Sequence, residues 1–193
     1  MATRVFLLDR SGSMESVLDD TIGGFNSFVR EQVPSGGTLT LYTFSDRCKC
    51  EYRDVQIDQV PMLTRDTYVP NGNTALYDSM GMILKDYQGK EGTFVILTDG
   101  QENSSRKYTK SHVKDLIEMS KLDVVYVGVD LDSAAEIGIH TTFEYDSART
   151  PDIFRIVSES VSASVERRIQ SQPVDSACST TANDSTIQRS ISH

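Results

Sequence analysis

Residues Val5–Met14 read VFLLDRSGSM. Val5, Phe6, Leu7 and Leu8 run directly into a carboxylate at Asp9, and hydroxyls follow at alternate positions, Ser11 and Ser13. A short continuous apolar run is the pattern of a strand buried on both faces, as in a parallel sheet covered by helices. A turn leaving such a strand needs one or two polar side chains. Asp9-x-Ser11-x-Ser13 supplies three, which makes the end of this strand a candidate ligand site.

Outward from this stretch, apolar strands alternate with amphipathic segments. The spacing of Val17, Leu18, Ile22, Phe25, Phe28 and Val29 predicts a helix over Ser16–Gln32. After the turn cluster Pro34-Ser-Gly-Gly37, Thr38–Phe44 alternates with period two, and Cys48–Val55 can fold back on it as an antiparallel edge hairpin. Residues Gln56–Asn73 are irregular and polar. A helix is expected over Thr74–Tyr87, a buried strand over Gly92–Leu97, a helix over Thr109–Lys121 and a strand over Asp123–Val129. A short helix (Ser133–Gly138), a weaker strand (His140–Tyr145) and a last helix (Pro151–Ile169) follow. This order predicts an α/β three-layer, Rossmann-like sandwich: a central mostly parallel sheet, one antiparallel edge strand, and helices on both faces. Residues 1–170 make one domain, and the Ser/Thr-rich segment 171–193, without an aromatic residue, is expected to be a disordered tail.

Composition narrows the function. With 19 basic and 28 acidic residues the formal charge is −9, so nucleic acid is not an expected partner. No apolar run approaches the ~20 residues of a membrane span. No signal peptide precedes the first strand, and three cysteines suit a reducing compartment, so a cytoplasmic location is expected. The Cys48-Lys49-Cys50 pair lacks both the usual C-x2-C spacing and a second Cys/His pair. Same-face strand positions account for it.

Ligands of open α/β sheets bind beyond the carboxyl ends of the strands, at a switch in strand order. Strand Gly92–Leu97 ends in Thr98-Asp99-Gly100, and Asn71-Gly72-Asn73-Thr74 immediately precedes a predicted helix. If the first strand and Gly92–Leu97 are neighbours, Asp9, Ser11, Ser13 and Asp99 converge, with Thr74 entering from a loop. Two carboxylates and three hydroxyls are hard oxygen donors, suited to Mg²⁺, Mn²⁺ or Ca²⁺ rather than zinc or copper. Neutral hydroxyl ligands leave the cation's charge largely uncancelled, so such a site attracts an acidic group from elsewhere.

These three segments, in this order and setting, resemble the metal-ion-dependent adhesion site of von Willebrand factor A (VWA) domains. The resemblance spans about residues 1–170. It implies that Ser11, Ser13 and Thr74 are hydroxyl ligands, and that Asp9 and Asp99 hold metal-bound waters or touch the ion directly. It also implies that a partner's Asp or Glu fills the open coordination position. Arg10, Asn73, Gly100 and Glu102 would form the rim that meets this partner. The expected protein is thus a non-enzymatic, divalent-cation-dependent interaction module, monomeric when free, working in an intracellular assembly.

Blander readings exist for each element. Asp9-x-Ser-x-Ser alone is a turn capping the next helix, Thr74 alone a helix N-cap, Asp99-Gly100 alone an ordinary turn. Glu102 and Asn103 also suit loop and capping roles, and Asp78 could brace the loop before its helix. His112, His140, Asp130 and Asp132 need no special role. Two other functions compete. One is a Mg²⁺-dependent phosphatase or phosphotransferase with Asp9 as nucleophile, against which Ser11 stands where a second Asp would serve as general acid. The other is a non-catalytic subunit of an ATPase or metal-insertion complex.

Overall fold

The alternation of side chains along the first strand decides the layering. In the computed structural model, which describes residues 2–145 and 150–171, β1 (Thr3–Asp9) is the central strand. Phe6 and Leu8 join one hydrophobic layer, and Val5 and Leu7 join the other. The same split recurs on β4 (Glu91–Leu97), where Val95 and Leu97 face the first layer and Phe94 and Ile96 the second. A strand read as continuously apolar is therefore two period-two stripes, each with its own cover.

Six strands form one sheet in the order β3-β2-β1-β4-β5-β6. Here β2 is Thr38–Phe44, β3 Cys48–Gln56, β5 Lys121–Gly128 and β6 Thr141–Glu144. All neighbours are parallel except the edge pair β2–β3. The VWA-like three-layer sandwich follows, with α1 (Leu18–Gln32) and α5 (Thr150–Ser171) over one face. On the other lie α2 (Leu76–Asp86), α3 (Lys110–Glu118) and α4 (Leu131–Glu136). The first layer is built around Phe6, whose ring meets Phe25 and Phe28 edge-on at 5.3 Å and lies parallel to Phe154 of α5 at 6.4 Å. α5 approaches α1 closely because Gly24 has no side chain: a Cβ there would stand 2.0 Å from the Phe154 ring.

Element boundaries differ from expectation where a backbone group finds another partner. Gly12–Val17 forms a 3-10 turn, so α1 begins at Leu18 rather than Ser16. α2 begins at Leu76 with Ala75 at its cap position, so Thr74 is not the cap. β5 starts at Lys121 because Leu122 is buried against the second layer, which shortens α3. Cys48 and Cys50 are free thiols that pack from the same face of β3 onto the second layer. Among the described residues no helix is long and apolar enough to cross a membrane. The expected tail lies outside the described residues beyond Ser171.

Candidate functional site

The chain leaves β1 toward β2 and β3 on one side and returns to β4 on the other, so the strand order switches between β1 and β4. At such a switch the two connections diverge and leave a crevice beyond the strand ends. Asp9 is the last residue of β1, and Thr98-Asp99-Gly100 follows β4 directly. Parallel pairing of Leu8 with Leu97 brings the two ends level.

Asp9 is fully buried and both its oxygens are engaged. Its Oδ1 accepts the backbone N–H of Ser11 at 2.6 Å, and its Oδ2 accepts the Thr98 hydroxyl at 2.5 Å. The Ser13 hydroxyl donates to Asp99 Oδ1 at 2.6 Å, and Ser11 Oγ lies 3.1 Å from Ser13 Oγ. Four of the five expected ligands thus form one connected oxygen cluster, with Thr98 as an added member. Thr74, buried to 3% exposure, joins them from the loop: a Cβ on Gly100 would meet Thr74 Oγ1 at 3.2 Å and Ser13 Oγ at 3.8 Å. Both hydroxyls therefore border the space that the missing Gly100 side chain leaves open.

Backbone hydrogen bonds hold the loop that carries Thr74 against the segments that follow β1 and β2. The N–H of Gly12 donates to Gly72 O (3.0 Å), that of Asn71 to Arg10 O (2.7 Å), and that of Ala75 to Ser45 O (2.8 Å). Thr74 is clasped from the other side by Asn103, whose Oδ1 accepts the Thr74 N–H at 2.9 Å while its own N–H donates to Thr74 O at 3.1 Å. Gly72 adopts φ +76°, and a Cβ there would stand 2.2 Å from Asp46 Oδ2. The positive φ favours glycine here, while the exposed Asp46 side chain could swing aside.

The electrostatics are those of one fully buried carboxylate and one half-buried one held close together. Burial pushes the Asp9 carboxyl up to about 6, against the pull of the Thr98 and Ser11 hydrogen bonds, with Asp99 raising it further. Asp99 is also raised, by burial, and the Ser13 hydroxyl offsets part of this. Such a pair favours a cation beside it.

The rim residues separate into two groups. Gly100 borders the cluster, while Asn73, next to Thr74 in the chain, is tied to Asp46 through its Nδ2 (2.8 Å) and its N–H (3.3 Å). Arg10 instead turns its guanidinium onto the neighbouring loop, donating to Val69 O and Asn71 Oδ1. Glu102 is a capping carboxylate: it accepts the N–H of Tyr77 in the first turn of α2, the N–H groups of Ser104 and Ser105, and the Ser105 hydroxyl. Asp78 braces the following loop by accepting the N–H groups of Arg106, Lys107 and Tyr108. Asp130 caps α4 through the Ser133 N–H.

Two supporting residues escaped the sequence reading. Thr98 stood in the quoted Thr98-Asp99-Gly100 segment, and a hydroxyl one residue before a strand-end carboxylate was the signal available. Tyr68, fully buried, donates its hydroxyl to Asp9 O from the irregular segment, where no periodicity marked it. Among the described residues no group of three or more His, Cys, Asp and Glu side chains is placed to hold a metal. The Asp9–Asp99 pair would thus depend on hydroxyls to complete a ligand set.

No family model matches the chain, and no curated protein matches it. Solved structures do. Proximal thread matrix protein 1 from the mussel byssus is similar at 19% identity and a TM-score of 0.62, over 83% of this chain and 46% of that one. A von Willebrand factor type A structure from Catenulispora acidiphila matches at 17% identity and 0.56, over 81% and 42%. The vWF domain of a type V pili tip protein from Porphyromonas gingivalis matches at 9% identity and 0.66, over 85% and 96%. The chain spans less than half the length of the first two, and at these identities the likeness is one of fold. Together with the sheet order and its single antiparallel edge, these matches give the chain a VWA-like fold.

Proposed function

We propose that the chain is a divalent-cation-dependent protein-binding module, in which a metal held by Ser11, Ser13, Thr74, Asp9 and Asp99 captures an Asp or Glu side chain of a partner protein. The observation that carries this reading is the convergence of Asp9, Ser11, Ser13 and Asp99 in one hydrogen-bonded oxygen cluster, with Thr74 Oγ1 facing the same open space above Gly100. An all-oxygen, hydroxyl-rich set suits Mg²⁺, with Mn²⁺ or Ca²⁺ as substitutes. The metal would supply Lewis acidity toward a carboxylate. The chain's own residues orient the donors, and carboxylates acting through bound water would hold the cation while leaving its open position attractive to a further acid.

Nucleophilic catalysis by Asp9 fits poorly. Each carboxylate oxygen already accepts a hydrogen bond and the residue has no exposed surface, so a phosphoryl group has no open approach to Asp9. A small cation or its bound water needs only one of the remaining lone pairs. The reading is tested by thermal unfolding with and without metal. At a Mg²⁺ concentration one hundred times Kd, stability should rise by about 2.7 kcal/mol. Ser11→Ala and Asp9→Ala should each abolish the gain. Identical melting of wild type and variants at saturating Mg²⁺, Mn²⁺ and Ca²⁺ would sink it.

A further inference from the structure

One residue from Thr74 the surface opens into a groove of about 740 Å³, within the roughly 300–1,000 Å³ of small-ligand pockets. Asn73, the residue before Thr74, lines the groove, which places it beside the loop that carries Thr74. One wall is the turn between β2 and β3, carrying Asp46 and Arg47; the other is the loop carrying Arg106 and Lys107. Met82 and Tyr108 add apolar surface between them.

The carboxylates of this groove are held by hydrogen bonds, and its cations are exposed. Asp46 is engaged by the side chain and N–H of Asn73, and Asp78 by three backbone N–H groups. Arg47, Arg106 and Lys107 are exposed, and their side chains form no ion pair among the described residues. On a chain of formal charge −9, three exposed cations thus face one groove with two carboxylates. Arg106 lies near enough to Asp46, and Lys107 to Asp78, to help hold those carboxyls ionised. The groove keeps an excess of one positive charge.

We infer that this groove docks an acidic, extended segment of a protein partner, beside the carboxylate that the partner presents to the cluster. Adjacency to a metal-bound carboxylate rests on the reading proposed above; the charge complementarity of the groove does not. Met82 and Tyr108 would take an apolar side chain between acidic ones, and Arg47 on one wall with Arg106 and Lys107 on the other would pair the acids. A short acidic segment brings few charges, whereas a nucleic acid's phosphates continue beyond the groove and meet more of the chain's net negative charge.

The test uses the full chain, isotope-labelled, in saturating Mg²⁺, with an alternating Glu/Leu octapeptide and its Gln/Leu counterpart. The Glu peptide should shift the resonances of Arg47, Arg106 and Lys107, weaken with added salt, and bind about tenfold more tightly than the Gln peptide. The double variant Arg47→Glu/Arg106→Glu should lose about tenfold in affinity for the Glu peptide while keeping the wild-type Mg²⁺-induced rise in Tm. Equal binding of the two peptides, an unimpaired double variant, shifts confined to other faces, or no binding at millimolar peptide overturns the inference. So does a poly-thymidine oligonucleotide that occupies the groove more tightly than the Glu peptide. Retained Glu-peptide binding by Ser11→Ala without a metal response would remove the metal reading and leave the groove standing.

Discussion

Asp9 carries the site's main energetic tension. It is a buried carboxylate whose hydrogen bonds from Ser11 and Thr98 do not cancel the cost of leaving water. With its folded value raised to about 6 and an ordinary unfolded value of 3.8, the folded chain binds a proton that the unfolded chain does not between those limits. Metal-free stability should therefore increase as pH falls from about 7 to about 4, by up to roughly 3 kcal/mol from this group. Urea unfolding of wild type and Asp9→Asn across this range checks the sign. The stability difference between them should fade toward pH 4, with Asn the more stable at pH 7. A pH-independent difference would show that Asp9 is not the group responsible. Saturating Mg²⁺ should reverse the slope in wild type, because the cation favours the ionised carboxylate.

At the level of elements, loops rather than helices set the site's shape. The first turn of α2 receives its cap from Glu102, across a loop, rather than from its own Thr74. One carboxylate thereby joins α2 to the segment that begins at Asp99. Glu102→Ala should cost about 1–3 kcal/mol, more than a single lost cap, since several N–H donors lose their acceptor together. Hydrogen exchange should accelerate at Tyr77, Ser104 and Ser105 before it does in β4. Unchanged protection at these amides would refute the coupling. Arg4 makes the corresponding link at the opposite end of the sheet. Fully buried, it donates to Gln32 Oε1 (3.0 Å) and Gly36 O (2.7 Å), and Gln32 Nε2 continues to Ser158 Oγ and Ser162 Oγ of α5, each at 3.0 Å. Burial lowers this guanidinium to about 10, and its partners here are neutral oxygens.

For the whole molecule, one sheet serves two cores. Every central strand sends alternate side chains to each layer, so neither layer can lose its packing while the other keeps its strands in register. Phe6→Ala in the first layer and Ile96→Ala in the second should each cost about 2–5 kcal/mol. Both should lower the same single unfolding transition, followed by circular dichroism and by fluorescence of the tyrosines. A variant that melts in two separated steps would show that the layers are independent.

The layering, the antiparallel edge at Cys48–Gln56 and the placement of Asp9 and Asp99 at strand ends were legible in the sequence, because they follow from local rules. Period and run length report which face of a strand is buried. A carboxylate directly after an apolar run lies at a strand end whatever the tertiary arrangement. The edge pair β2–β3 was readable for the same reason, since two short segments joined by a tight turn can hardly pair otherwise. What depended on long-range pairing was not readable. Nothing local marked Arg4 as more than a strand residue, yet it is buried, because Gln32, Ser35 and Gly36 close over it from distant positions. Glu102 and Asn103 read as rim or loop residues, and only the fold shows which backbone groups they satisfy. Tyr68 carried no local signal at all. The sequence by itself determined which residue types could form an oxygen-rich site and where along the chain they fall. The tertiary structure decided which of them meet, because the switch in strand order between β1 and β4 opens the crevice in which Asp9, Ser11, Ser13 and Asp99 come within hydrogen-bond reach.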